Sequence, residues 1–199
     1  MSLSIEATVL IVPGLRGHVA DHWQTLLGAR RSGTRCVPPM GRDNLDCAAR
    51  IRAIEREAQA IEGPLVLVAH SAGCLMLAHW AMQTQRKVHG ALLATPPDFE
   101  RPMPPGYPSM EALRACDWLP VPRAPLPFAS ITALSRNDPL TSFERASELA
   151  LDWGSRLVDL GQVGHLNPAS GFGEWPQAQT FIDELIEENP WPVRSAFMK

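Results

Sequence analysis

The chain has 199 residues, of which 45% are hydrophobic, and its formal net charge at pH 7 is −3. This length and composition predict one domain, residues 1–199, with a well-buried core. Basic residues form no stripe, so no nucleic-acid partner is expected, and no run approaches the roughly 20 apolar residues of a membrane-spanning helix.

Four elements are predicted before residue 65, and they alternate between strand and helix. Apolar runs that end at Pro or Gly are typical of buried parallel strands, whereas apolar residues spaced three and four apart indicate helices. On these patterns we expect strands at 7–12 and 34–37 and helices at 21–30 and 45–61. Asp21 stands at the start of the first helix, where a carboxylate can cap the helix or oppose its dipole.

The segment Leu65–Leu77 reads L-V-L-V-A-H-S-A-G-C-L-M-L, a strand-forming run followed by a short turn at Ser71 and an apolar helix. Strand, sharp turn and helix in this order hold a nucleophilic serine clear of the backbone, the pattern G-x-S-x-G. Ala69 replaces the first glycine and Gly73 matches the second. Both positions must be small because the strand and the helix nearly touch. The alternative is a serine that only caps the helix.

The alternation continues to the end of the chain. We expect helices at 75–81, 143–153 and 177–188 and strands at 88–95, 128–134 and 156–160. Six strands alternating with helices predict a compact α/β fold, a mostly parallel sheet with helices on both faces. A proline-rich stretch, 96–125, contains one short predicted helix at 110–116 and is interpreted as a loop or a minimal lid. Residues 189–199 are interpreted as a C-terminal tail.

Two loops at predicted strand ends supply an acid and a base. Asp138 follows the fifth strand in S-R-N-D-P, and His165 follows the sixth in G-Q-V-G-H-L-N. A serine hydroxyl needs a neighbouring base, and that base needs an orienting acid, so the chain order Ser71, Asp138, His165 predicts a catalytic triad. Asp98, after the fourth strand, is a rival acid. Taken alone, each of these residues also fits an ordinary turn or loop.

Acyl transfer also requires donors for the oxygen that becomes negative in the tetrahedral intermediate. The backbone N–H of Ala72 lies at a predicted helix N-terminus, which favours an anion. A second N–H is expected at Leu15, in the loop V-P-G-L-R-G-H after the first strand. Gly14 and Gly17 would let this loop approach the substrate, although the loop also fits a simple strand-to-helix turn.

Four residues are predicted to bind the substrate, namely Arg16, Trp23, Met110 and Trp118. Arg16 belongs to the loop of Leu15. Met110 and Trp118 lie in the proline-rich stretch, and loops above strand ends face the site. Trp23 also fits core packing, which is the more frequent role of a tryptophan on a helix.

No cofactor is expected. The four cysteines are scattered through a chain long enough to fold without disulfides, and residues 1–12 lack the features of a secretory signal, so we predict free thiols and a cytoplasmic location. A zinc site from His70, Cys74 and His79 fits no usual ligand spacing, so no metal is predicted.

These motifs resemble the small serine hydrolases of the α/β-hydrolase superfamily that include retinoblastoma-binding protein 9 and bacterial relatives. The shared motifs are V-P-G after the first strand, D-H-W-Q at 21–24, H-S-A-G at 70–73, N-D-P at 137–139, and G-H-L-N with S-G-x-G-E-W-P at 164–176. The resemblance implies a hydrolase without a large cap domain, a triad of Ser71, Asp138 and His165, carboxylesterase-type activity and no cofactor.

Two features depart from that family. Ala69 and residues 16–20 differ from its usual glycine- and serine-rich segments. The L-x-C-x-E motif associated with the retinoblastoma-binding relative is missing, since 113–117 read L-R-A-C-D, so no retinoblastoma-type partner is expected.

The sequence therefore predicts a serine hydrolase that cleaves a small-molecule ester through an acyl-enzyme on Ser71, without a nucleic acid or a membrane as partner. Two alternatives stay open. One is a non-catalytic binding protein on a hydrolase scaffold, and the other is an acyltransferase that uses the same three residues.

Overall fold

A computed structural model describes residues 6–188 and contains one six-stranded sheet in the order β2-β1-β3-β4-β5-β6. The strands are β1 Thr8–Val12, β2 Thr34–Cys36, β3 Leu65–His70, β4 Gly90–Ala94, β5 Ser130–Leu134 and β6 Arg156–Asp159. Every neighbouring pair is parallel. The prediction of a six-stranded, mostly parallel sheet is therefore confirmed.

Six helices flank the sheet, and their bounds are α1 Trp23–Arg30, α2 Cys47–Gln59, α3 Ala72–Ala81, α4 Met110–Ala115, α5 Phe143–Asp152 and α6 Gln177–Glu188. A 3-10 turn at Pro168–Ser170 precedes α6. Within residues 6–188, every helix is too short or too polar to cross a bilayer.

The central strand β3 divides its side chains between two buried cores. Leu65, Leu67 and Ala69 point to the core that receives side chains of α2, α3, α4 and α5. Val66 and Val68 point to the opposite core, which α1 and α6 cover. Since successive side chains of a strand face opposite sides, a strand buried on both faces must be apolar throughout. Burial on both faces therefore explains why β3 is apolar from Leu65 to Ala69.

The first helix begins two residues later than the sequence suggested. Its N-cap is His22 rather than Asp21, and the ring Nδ1 of His22 accepts a hydrogen bond from the backbone N–H of Gln24 at 3.2 Å. The side-chain amide of Gln24 donates to the carbonyl oxygens of Val12 and Val68 at 3.3 and 3.0 Å. This helix start is thus fastened to the carboxyl ends of β1 and β3.

The proline-rich stretch 96–125 packs closely against the body of the protein. Phe99, Leu113 and Trp118 are buried, and the rings of Phe99 and Trp118 meet edge to face with centroids 5.3 Å apart. The indole N–H of Trp118 donates to the carbonyl of Leu45 at 2.8 Å. Arg123 forms ion pairs with Glu100 and with Asp152 of α5. The interpretation of 189–199 as a tail lies outside the described residues.

Candidate active site

Ser71 joins β3 to α3 in a strained backbone conformation, with φ 57° and ψ −132°. Few non-glycine residues adopt a positive φ. The Ser71 N–H donates to the carbonyl of Ala94 on β4 at 2.9 Å, which fastens the turn to the sheet. A Cβ on Gly73 would come within 2.9 Å of the carbonyl oxygen of Pro13 and closer still to that of Val12. Gly73 is therefore needed because the start of α3 lies directly against the end of β1.

His165 lies between Ser71 and Asp138 and contacts both. Its Nε2 is 2.8 Å from Ser71 Oγ, and its Nδ1 is 2.8 Å from Asp138 Oδ2. The second carboxylate oxygen of Asp138 accepts the backbone N–H of Leu140 at 2.9 Å. A carboxylate only accepts hydrogen bonds, so we assign the imidazole proton to Nδ1, which leaves the lone pair of Nε2 facing the serine hydroxyl.

The loops that carry the acid and the base are joined by side chains near Asp138. The side-chain oxygen of Asn137 accepts the backbone N–H of Gly164 at 2.7 Å and the hydroxyl of Ser135 at 2.9 Å. The Ser135 hydroxyl oxygen in turn accepts the N–H of Val163 at 3.3 Å. These bonds set the loop after β6 against the loop after β5. Ser135 and Asn137 belong to the S-R-N-D-P segment, but neither was predicted to have a role.

Two further histidine rings lie close to His165 and are tilted relative to one another. The ring centroids of His70 and His165 are 5.0 Å apart, and those of His22 and His70 are 4.5 Å apart. Nε2 of His70 lies 3.0 Å from the carbonyl oxygen of His165, so we assign it as a donor that supports this backbone. Burial, with a smaller effect of His165, lowers the pKa of His22 to about 4 and that of His70 well below its ordinary value. Both rings are therefore neutral near pH 7. His22 and His70 belong to the motifs D-H-W-Q and H-S-A-G, but neither was predicted to have a role in the site.

Acidification is expected to destabilise the fold through His22. Its pKa falls from 6.5 in a solvent-exposed chain to about 4 here, so the unfolded state binds more protons between these values. Stability is lost as the pH falls through about 6.5, and the loss levels off below about 4. The His22→Asn variant, which keeps a capping acceptor, should lose less Tm than wild type between pH values of about 7.5 and 4.5. Equal losses of Tm would contradict this prediction.

Asp98, the alternative candidate for the acid of the triad, forms an ion pair with Arg145 instead. Its Oδ2 accepts from Nε of Arg145 on α5 at 2.9 Å, and the same guanidinium reaches Glu100 at 2.8 Å. The Asp98 carboxylate thus faces α5, whereas Asp138 faces His165.

Ser71 opens into a cavity of about 520 Å³. Leu15 and Ala72, the two residues predicted to supply oxyanion donors, border this cavity. Ala72 is the first residue of α3, and Leu15 lies in a turn that the N–H of Gly17 closes on the carbonyl of Gly14 at 3.0 Å. N–H groups in the first turn of a helix have no acceptor within the helix, so that of Ala72 suits an anion.

Three of the four predicted substrate-binding residues do not line the cavity. Trp23 is only 1% exposed and packs edge to face on Trp175, with ring centroids 4.8 Å apart. Trp118 is fully buried in the core, and Met110 begins α4 away from the cavity wall. The two tryptophans are buried because large rings gain most free energy by leaving water. Arg16 alone of the four borders the cavity.

The apolar part of the cavity wall is formed by residues that were not predicted to bind the substrate. The lining side chains include Val19, Leu45, Phe99, Met103 and Leu140. These five residues come from four different loops, and only Phe99 and Met103 belong to the connector between β4 and α4. How the loops come together is not encoded in a local sequence pattern.

The three residues considered for zinc have separate partners. His70 lies against His165, Sγ of Cys74 is 3.4 Å from the carbonyl oxygen of Ala94, and Nε2 of His79 is 3.1 Å from that of Trp118. In the part of the chain that the structure describes, no group of three or more metal-ligating side chains comes together.

The sequence matches the family model described as serine hydrolase over residues 9–184. A YdeN-like hydrolase from Pectobacterium atrosepticum is 30% identical, with a TM-score of 0.79 and 92% of each chain covered. The ydeN gene product from B. subtilis is 17% identical, with a TM-score of 0.68 and coverage of 92% of this chain and 100% of that one. A hydrolase of the alpha/beta superfamily from Xanthomonas campestris is 18% identical, with a TM-score of 0.59 and coverage of 93% and 99%.

The B. subtilis and Xanthomonas structures, at these identities, show a common fold and nothing further. Among curated proteins, none is significantly similar to this sequence. The family match covers most of the chain, and the conformation of Ser71 and its contact with His165 fit that match. The chain therefore belongs to the serine hydrolase family and has the α/β-hydrolase fold.

Proposed function

We propose that the protein is a carboxylesterase-type hydrolase that cleaves a small ester through an acyl-enzyme on Ser71. The observation that carries the proposal is the continuous path from Ser71 Oγ to His165 Nε2 and from His165 Nδ1 to Asp138 Oδ2, with both distances 2.8 Å. A serine activated by a base, with the base oriented by an acid, is the requirement for nucleophilic catalysis by a hydroxyl.

In the first half of the proposed reaction, Ser71 Oγ bonds to the ester carbonyl carbon while its proton passes to Nε2 of His165. The carbonyl oxygen becomes negative and accepts hydrogen bonds from the backbone N–H groups of Leu15 and Ala72. The tetrahedral intermediate then collapses, the bond to the alcohol oxygen breaks, and the proton on Nε2 passes to the leaving alcohol. Asp138 stabilises the imidazolium without taking its proton.

The second half of the proposed reaction regenerates the serine. Water attacks the acyl carbon while His165 accepts a water proton, and collapse returns that proton to Ser71 Oγ as the carboxylic acid leaves. An alcohol or amine acceptor in place of water would transfer the acyl group to that acceptor. Such an acyltransferase reaction would use the same three residues and differ only in its acceptor.

A fluorophosphonate probe tests the proposal directly, because it reacts with activated serines and bonds through phosphorus to the hydroxyl oxygen. We expect stoichiometric labelling of the peptide that contains Ser71, measured by mass spectrometry. Labelling should disappear in Ser71→Ala and persist in Ser109→Ala, since Ser109 only caps α4.

Folded protein that resists the probe and hydrolyses no aryl ester would instead favour a non-catalytic binding protein. Ester turnover in which an added alcohol captures most of the acyl group would favour an acyltransferase. The cytoplasmic location stays a prediction, as does the lack of a nucleic-acid or retinoblastoma-type partner.

A further inference from the structure

Arg16 presents a free positive charge at the cavity that holds Ser71. It lies in the turn between Gly14 and Gly17, next to Leu15, and it borders the cavity. Its side chain is exposed, and among residues 6–188 no carboxylate or carbonyl accepts a hydrogen bond from its guanidinium. A guanidinium without a protein partner is available to a ligand.

The other charged side chains on the cavity wall leave this positive charge uncompensated. Arg42 donates a hydrogen bond to the carbonyl of Gly106, which ties its guanidinium to the opposite loop. Asp43 is the one carboxylate among the described lining residues, and it directly follows Arg42 in the chain. The wall therefore carries two arginines and one carboxylate, and Arg16 is the arginine whose guanidinium has no hydrogen-bond partner among residues 6–188.

The rest of the wall is mainly apolar. Phe99, Met103 and Leu140 line the cavity together with Leu45 and Val19. An acyl chain or an aromatic leaving group can lie against these side chains and remove apolar surface from water. A substrate that fits both parts of the wall has an apolar body and a negatively charged group at one end.

We propose that Arg16 determines specificity by binding a carboxylate group on the ester substrate. A guanidinium pairs with a carboxylate through two parallel N–H donors, which fixes orientation as well as charge. The inference rests on the proposed esterase function and adds the class of its substrate, which is an ester that carries a carboxylate. The carboxylate belongs either to the acyl chain or to the leaving group.

Two pairs of chromogenic esters distinguish a carboxylate on the acyl chain from a carboxylate on the leaving group. In the acyl-side pair, the 4-nitrophenyl half-ester of adipic acid is compared with the same ester in which the free carboxylate is a primary carboxamide. In the leaving-group pair, the butyrate ester of 4-hydroxy-3-nitrobenzoate is compared with that of its carboxamide. Carboxylate and carboxamide have nearly the same shape. The ratio of their kcat/KM values therefore isolates the charge once each value is divided by the non-enzymatic hydrolysis rate of the same ester, which corrects for leaving-group reactivity.

We expect wild type to prefer the carboxylate of at least one pair by about 10-fold in kcat/KM, the size of a hydrogen-bonded charge pair at an exposed site. Arg16→Gln should bring that ratio close to one, and Arg16→Lys should keep part of it because the charge remains. Arg101→Gln is the matched control, since it removes an exposed arginine that does not line this cavity. Salt at about 0.5 M should reduce the preference, because screening weakens exposed charge pairs.

A wild-type ratio near one in both pairs would overturn the proposal, and so would a preference that survives Arg16→Gln. In either case the carboxamide esters report separately on the esterase function. Their turnover by wild type would leave that function standing, whereas no turnover of any of the four esters would mean that the proposed function itself fails.

Discussion

Replacing Ser71 with alanine is expected to lower the turnover of a short-chain 4-nitrophenyl ester about 10⁵-fold. The Ser71 hydroxyl lies 2.8 Å from Nε2 of His165, which is placed to act as its base. The variant should still fold, because the Ser71 side chain makes no capping hydrogen bond to α3. The measurement is kcat under substrate saturation, together with the Tm.

The control for this substitution is Ser109→Ala, which should keep the wild-type kcat. Ser109 lies at the start of α4 and does not line the cavity. If Ser71→Ala with a wild-type Tm retained more than about a tenth of the wild-type kcat, another group would be the nucleophile.

Asp138→Asn is expected to reduce kcat about 10³- to 10⁴-fold. The carboxylate accepts from Nδ1 of His165 at 2.8 Å and so keeps the lone pair on Nε2. An asparagine amide can donate to Nδ1 instead, which moves the imidazole proton to Nε2 and leaves Ser71 without a base. The backbone geometry should persist, since the asparagine oxygen can still accept the N–H of Leu140.

Asp98→Asn is the matched control for the acid, because Asp98 also follows a strand but pairs with Arg145. We expect it to lower the Tm and to change kcat less than about threefold. The opposite pattern, with kcat lost in Asp98→Asn and kept in Asp138→Asn, would assign the acid role to Asp98. Both variants can be measured with the same aryl ester.

The number of strands, their mostly parallel arrangement and the positions of Ser71, Asp138 and His165 at strand ends could be predicted because each depends on short segments. Apolar runs identified the buried strands, and parallel strands place their carboxyl ends at one edge of the sheet. A small residue at position 73 was also predicted, but from a close approach of the helix to the incoming strand β3, whereas the structure places Gly73 against the end of β1.

The apolar wall of the cavity could not be predicted, because it depends on how several loops, including the connector after β4, come together above the sheet. Trp118 and Phe99 lie in that connector, yet Trp118 is buried in the core while Phe99 also reaches the cavity. Both side chains are aromatic and both follow prolines or acidic residues. The local sequence therefore does not indicate which of the two rings reaches the cavity. The support of the His165 carbonyl by His70 was also beyond sequence reasoning, since the two residues meet only after the whole sheet has formed.

The close approach of α3 to β1 at Gly73 limits how the enzyme can be engineered. A larger residue there would push the helix away from the carbonyl groups of Val12 and Pro13, and would separate Ala72 from Leu15. Substitutions at Gly73 that are meant to make room for bulkier substrates should therefore yield unfolded or inactive protein. Room for new substrates is better made at Met103, whose side chain lines the cavity and is only partly buried.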